Sequence, residues 1–398
     1  MSASQVYQQI YEMVQSCMDE RVDASTCERI TLLVAGIIGA HSASPARVAQ
    51  AIHQMGLRNA KPESLERQVR RLENDPEFEA RLCFHRFART RLLLGRPQEL
   101  RLIVDPTTQE DRVVMVSVAV WYRGRALPLA WVAWPANTPL KGEGFWARLA
   151  TLLEAVAPLL PVGVPVTWLA DRAFGTPAFT DLLTAHGWHY VVRVQGQTRY
   201  QDGHGHTGRV DQLIRRRGKR AKMRGQAFKA AGWREVSVVV YWGRAHRSAL
   251  CLVSDLKPAW HLIQLYRSRF GIEASFRDDK SAGWQWEQGQ VRDLAHVERL
   301  LIAMAFATWV TLLVGNQVAT RLLSQPPTGQ RTTRPYDAKH GLFYLGLDEL
   351  GCALLGPAIL QLPMTFTDWT APNWETQLTA QHVHAFIFHT QPCYASES

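Results

Sequence analysis

Residues 100–134 read LRLIVDPTTQEDRVVMVSVAVWYRGRALPLAWVAW, and this stretch decides the fold. It contains three runs rich in β-branched and aromatic residues, 100–108, 112–124 and 126–134, parted by short polar breaks, one of which holds Gly124. That texture predicts three consecutive antiparallel strands. Downstream the pattern alternates. GEGFWARLATLLEAVAPLL (142–160) reads as an amphipathic helix ended by Pro161, and VPVTWLADRAF (164–174) as a strand. TPAFTDLLTAHG (176–187) reads as a helix closed by Gly187, and WHYVVRVQG (188–196) as a further strand.

Three strands, then helix, strand, helix, strand is the order of an RNase H-like core, an α/β class with a mixed sheet. We therefore divide the chain into a helical region 1–97, a core in two parts (98–195 and 259–320), a β-rich basic insertion 196–258, and a C-terminal region 321–398. In the first region, apolar spacing of three and four in QVYQQIYEMVQ and CERITLLVAGIIGAH predicts helices. Two shorter helices follow, one starting at Ser44 and Pro45, the other at Pro62 and Ser64. They have the outline of a helix-turn-helix whose second helix carries Arg67, Arg70 and Arg71 toward DNA. A plain bundle with a solvated basic face fits the same pattern. In the insertion, residues 215–226, RRRGKRAKMRGQ, hold seven Lys or Arg and no acid, and read as a basic loop facing phosphates. Residues 259–283 read as one long helix with Gly271 inside it.

Lys and Arg outnumber Asp and Glu by 45 to 35, for a formal net charge of +10 and a pI near 9.5, so the field of the protein draws polyanions. The six cysteines, with no C-x-x-C pair, read as free thiols of a reducing compartment. No secretory pattern opens the chain, and the apolar run 300–314 falls short of the roughly 20 residues that span a bilayer. The expected location is therefore cytoplasmic, with no membrane partner.

Asp105 follows the apolar run LRLIV, and Asp171 follows VTWLA in the same manner. An acid at such a strand end either starts a turn or works at a site; two at equivalent edges of neighbouring strands favour the site. A third acid lies on the long helix. From Tyr266 the spacing runs to Arg269, Glu273 and Lys280, offsets of three, seven and fourteen. On an ideal helix these fall within an arc of about 60°, presenting a phenol, a guanidinium, a carboxylate and an ammonium on one face. A solvated stripe of ion pairs is the plainer alternative.

This spacing, Y-x2-R-x3-E-x6-K, resembles the motif of bacterial insertion-sequence DDE transposases of the insertion-sequence-4 family. IVDPTT resembles the family's first-aspartate segment, RALPLAW the strand after it, LADRAFG the second-aspartate segment, and PESLERQVRRLEN the basic helical region ahead of the core. The resemblance spans roughly 45–310. It implies an RNase H-like core with a β-rich insertion and cut-and-paste transposition through a DNA hairpin. It also implies two Mg²⁺ ions, for which Mn²⁺ substitutes, held by Asp105, Asp171 and Glu273 as catalytic carboxylates. Arg269, Lys280 and Tyr266, with Arg172 as a lesser candidate, would hold DNA phosphates, and Trp284 and Trp286 would stack a flipped base. Trp131 and Trp134 are alternative platforms. The implied partners are double-stranded DNA, at the inverted-repeat ends and the target, and a second copy in a synaptic homodimer. Two other classes remain open: an RNase H-fold nuclease that does not join strands, and an inactive transposase-derived DNA-binding protein.

Overall fold

The computed structural model describes residues 2–17, 24–74, 80–109, 112–138, 140, 142–289, 293–324, 341–356, 358–367 and 369. Helices α1 (Ser2–Gln15), α2 (Ala24–Ala40), α3 (Pro45–Gln54), α4 (Pro62–Asn74) and α5 (Ala80–Gly95) precede the first strand. The β-branched runs then form β1 (Leu100–Gln109), β2 (Val113–Tyr122) and β3 (Arg125–Pro135). Pro128 can sit in β3 because β3 is the edge of the sheet, and a bulge at Val118/Ala119 of β2 lies beside it. Next come α6 (Glu143–Val156), β4 (Val166–Ala170), α7 (Pro177–Ala185) and β5 (His189–Arg193).

The strand order β3-β2-β1-β4-β5 is antiparallel across β3, β2 and β1 and parallel across β1, β4 and β5. The sheet is thus mixed, as the order of the elements predicts. The insertion continues the same sheet. Its strands β6 (Arg199–Asp202), β7 (Thr207–Arg209), β8 (Lys219–Ala227), β9 (Arg234–Trp242) and β10 (Leu250–Ser254) add on through β10, antiparallel to β5, giving ten strands among the described residues.

Only residues 215–218 of the basic run form the loop that composition suggested. Residues from Lys219 onward lie in β8, where Arg220 stacks 4.3 Å from the centroid of the Trp260 ring. Lys222 lies 5.3 Å from the same ring and donates to Pro258 O, while Arg224 donates to Asp255 O. Alternation of cationic and small residues is a strand period, and cation–π contact with Trp260 satisfies two of the charges.

Two apolar clusters lie on the two faces of the sheet. The larger joins the N-terminal helices, α6, α7, α10 (Leu294–Ser324) and α11 (Leu342–Leu355). α10 is long and apolar enough to cross a bilayer, longer than the run read from sequence, yet 89% of its most apolar window is buried inside the protein, as a core helix is. The smaller cluster, including Ile103, Leu169, Val191, Leu262, Tyr266 and Ile272, lies under α8 (His261–Arg267) and α9 (Gly271–Arg277). The single long helix expected here is instead α8, a 3₁₀ turn (Ser268–Phe270), α9 and a π turn (Asp278–Ala282). Residues 325–340 and 370–398, which hold most of the region expected to dimerise, lie outside the described residues.

Candidate active site

Strand parity aims the aspartates. Successive side chains on a strand face opposite ways, so Asp105 shares a face with Ile103, Asp171 with Leu169, and Arg193 with Val191. Ile103, Leu169 and Val191 all belong to the cluster under α8 and α9. Val104 pairs with Ala170 in the parallel β1–β4 register, so Asp105 and Asp171 lie side by side. Only Asp171 follows a strand end: contrary to expectation, β1 continues through Asp105, which pairs with Ser117, to Gln109, because the β2 ladder extends past it. Gly175 allows the loop after Asp171 to pass close over β5, where a Cβ would meet Arg193 O at 2.3 Å.

The helix is held just as closely. Ser275 Oγ donates to Ala126 O at 3.1 Å and accepts from Ala126 N–H at 3.0 Å. Gly271 brings α9 against Trp121 and the backbone of Arg125, which an added Cβ would meet at 3.2 and 3.3 Å. This docking sets Arg269 over the strand ends. Its Nη1 donates to Asp105 Oδ2 at 3.0 Å and its Nη2 to Glu273 Oε1 at 2.5 Å. Arg269 is 7% exposed, and its guanidinium lies 4.9 Å from the Phe270 ring centroid and 5.9 Å from that of Tyr266.

Burial pushes the Asp105 carboxyl up to about 6; Arg269 opposes that rise, and the nearby negative charges of Asp171 and Glu273 add to it. Burial likewise raises the Tyr266 hydroxyl, against the pull of Arg269 and Arg193. Asp171 accepts the N–H of Ala173 at 2.8 Å through Oδ1, so it also closes its own turn.

The oxygen donors of Asp105, Asp171 and Glu273 are the hard ligands that Mg²⁺ and Mn²⁺ take. The donor chemistry fits such an ion. The arrangement is closed, however: among the described residues no three His, Cys, Asp or Glu side chains gather as a metal site, and Arg269 bridges two of the three carboxylates.

The other expected residues part company. Lys280 lies in the π turn, and its ammonium is 3.8 Å from Glu287. The ideal arc fails because 3₁₀ and π turns do not advance by the α-helical angle. Trp284 and Trp286 are 0% and 1% exposed, with Trp284 Nε1 bonded to Thr308 Oγ1, so neither offers a face to a base. Trp131 and Trp134 are buried too. Arg67, Arg70 and Arg71 stand exposed on α4, Arg70 paired with Glu66, far along the chain from this site. Residues 55–61 link α3 to α4, a connection longer than the three- or four-residue turn of a tight helix-turn-helix.

Sequence reasoning missed a cleft. A cavity of about 1040 Å³ is lined by Arg172, Arg193, Arg209, Arg215 and Arg247, and among the described residues Asp211, paired with Arg209, is the only acid in its lining. A second cavity of about 200 Å³ shares Arg193 and Arg247 with it and reaches Tyr266 and Phe270. Phe270, 51% exposed, is an open aromatic ring next to Arg269. Arg193 was the legible signal: β5 ends in a cation where β1 and β4 each run into an aspartate.

Residues 144–310 match the family model described as Transposase DDE domain. The match supports a DDE transposase. It takes in Asp171, Tyr266, Arg269, Glu273 and Lys280, and begins after Asp105. No curated protein matches the chain. Among solved structures, the crystal structure of ethanolamine utilization protein EutJ from Carboxydothermus hydrogenoformans aligns over 74% of this chain and 99% of its own. Identity is 12% and the TM-score 0.18, so that likeness carries no argument.

Proposed function

We propose that this DDE transposase cuts the ends of an insertion sequence and joins them to target DNA, with Asp105, Asp171 and Glu273 as the catalytic carboxylates. The observation that supports this best is the convergence of β1, β4 and the α8–α9 helix on one point, through parity, parallel register and the Ser275–Ala126 docking. Asp105, Asp171 and Glu273 are the residues that would hold Mg²⁺, which when bound supplies charge neutralisation and polarisation at the scissile phosphate. The chain's own groups do the rest. Arg193 and Arg172 receive phosphates of the strand lying in the arginine cleft, where five guanidiniums face a single paired acid. Arg269 and the Tyr266 hydroxyl bind phosphate beside the carboxylates, and Lys280, at the far end of the helix, binds further along. Phe270 takes the stacking role first assigned to Trp284 and Trp286, since its ring is open. Recognition of the inverted-repeat ends falls to α4 with Arg67, Arg70 and Arg71, and pairing of two ends to a homodimer.

The test is incubation of the protein with the element's own ends and Mg²⁺. Nicks, hairpins and joined products are expected from the wild type. Asp105→Ala, Asp171→Ala and Glu273→Ala should each bind the DNA and yield none. Cleavage without joining would leave an RNase H-fold nuclease, and no cleavage by the wild type would leave a DNA-binding protein.

A further inference from the structure

The position of Arg269 is unusual for a group that is to grip DNA, because both arms of its fork are already engaged. One arm bonds Asp105 on β1 and the other Glu273 on α9. It is also buried beneath the ring of Phe270 and beside that of Tyr266, so its pair with Asp105 is shielded from water, while the Glu273 side chain is half exposed. A single positive charge thus sits between two carboxylates, where the proposed function requires a divalent cation.

We infer that Arg269 plugs the metal site of the DNA-free protein and is drawn off it by a phosphate of the DNA end, so that metal loading waits for the substrate. The inference rests on the reading of Asp105 and Glu273 as metal ligands. Three features support it. A phosphate is an equally good bidentate partner for a guanidinium, so exchanging carboxylate for phosphate keeps both arms of the fork bonded. The residue stands on the 3₁₀ turn Ser268–Phe270 between two α-helices, a break in pitch of the kind that marks hinges. The exchange has somewhere to go, because the adjoining cavity, lined by Arg193, Tyr266 and Phe270, runs from the helix into the arginine cleft. Once the guanidinium has turned to phosphate, Asp105 and Glu273 keep their charges without a counter-ion, and a divalent cation is the species that restores neutrality. Linkage makes the effect mutual: whatever factor DNA adds to metal affinity, metal adds to DNA affinity. A protein of this design would not arm itself on free metal alone.

The competing view makes Arg269 a permanent strut that holds the carboxylates in place for the ion. The two views predict opposite signs. In a Mn²⁺ titration of the full-length protein without DNA, read by the electron paramagnetic resonance of free Mn²⁺, Arg269→Gln should bind roughly tenfold more tightly than wild type. That gain should vanish when Asp105→Asn is added. A short synthetic duplex should raise the wild-type affinity by a similar factor, counted against Asp105→Asn protein with the same duplex, and leave Arg269→Gln unchanged. Arg269→Lys keeps a charge that cannot bridge two carboxylates and should lie between; it serves as the readout if the Gln variant does not fold. Equal or weaker Mn²⁺ binding in Arg269→Gln overturns the plug, as does a duplex effect that persists in it. Tight Mn²⁺ binding that survives both Asp105→Asn and Glu273→Gln would instead show that these carboxylates are not ligands, which sinks the proposed function along with the plug.

Discussion

A carboxylate whose pKa is pushed up to about 6 by burial holds its proton more tightly in the folded chain than in the unfolded one, where Asp titrates near 3.8. Such a group contributes stability below the unfolded pKa and loses it as pH rises through the folded value. Asp105 therefore makes the fold less stable between about pH 4 and pH 6.5, by up to about 3 kcal/mol at roughly 1.4 kcal/mol per pKa unit. Asp105→Asn carries no such charge. Its urea midpoint should fall less than that of wild type over this window, while its cleavage activity is lost. Parallel pH profiles for the two proteins would mean that Arg269 already neutralises Asp105 in full. A buried acid in mid-strand is more readily explained by work at a site than by the turn that Pro106 and Thr107 suggest, since both lie within β1.

At the scale of elements, the packing of helix on sheet and helix on helix rests on glycines. A Cβ on Gly346 of α11 would stand 1.8 Å from Thr311 O of α10, and one on Gly315 would stand 1.9 Å from Leu342 O. Neither carbonyl can yield without moving a helix. Gly346→Ala should therefore destabilise by about 2–4 kcal/mol in denaturant titration despite the better helix propensity of Ala; a neutral result would mean that α11 slides freely on α10. Gly271→Ala is tighter than ordinary contact and not impossible, so it should cost about 1 kcal/mol and slow end cleavage more than it lowers the melting temperature, by tilting α9 away from β1. The strands were legible in the sequence because β-branched runs are a local signal, but the end of β1 was not: the strand runs past Asp105 to Gln109 because β2 pairs with it. The docking of α9 was not, since Ser275 and Gly271 act on β3, far away in sequence. The π turn that holds Lys280 has no clear mark in local spacing, and the burial of Trp284 against Thr308 and Phe343 depends on helices that come later in the chain. Arg193 went unremarked for a similar reason: its importance comes from the strands that β5 joins.

Over the whole molecule, the helical N-terminal region is not an appendage. Its apolar residues belong to the same cluster as α10 and α11, Gln9 of α1 bonds the backbone of Leu360 and Leu362, and Arg91 of α5 donates to Met364 O. The backbone N–H of Ala43, ahead of α3, also donates to Trp284 O at 2.6 Å, just past the site helix. Removing residues 1–97 would thus strip the core and report on folding, so DNA recognition by this region has to be tested on its surface. Arg67 and Arg71 are exposed on α4, whereas Arg70 is held by Glu66. If α4 meets the element's end, Arg67→Ala with Arg71→Ala should weaken binding to end DNA with an unchanged melting temperature. The slope of log affinity against log salt should then shrink by about 1 for each DNA phosphate that the variant no longer neutralises. Poorer discrimination between end and random duplex, beyond that shift in slope, would mean that one of the two arginines reads a base edge. An unaltered slope and unaltered discrimination would take α4 out of the interface and leave the arginine cleft beside Arg193 to carry DNA binding.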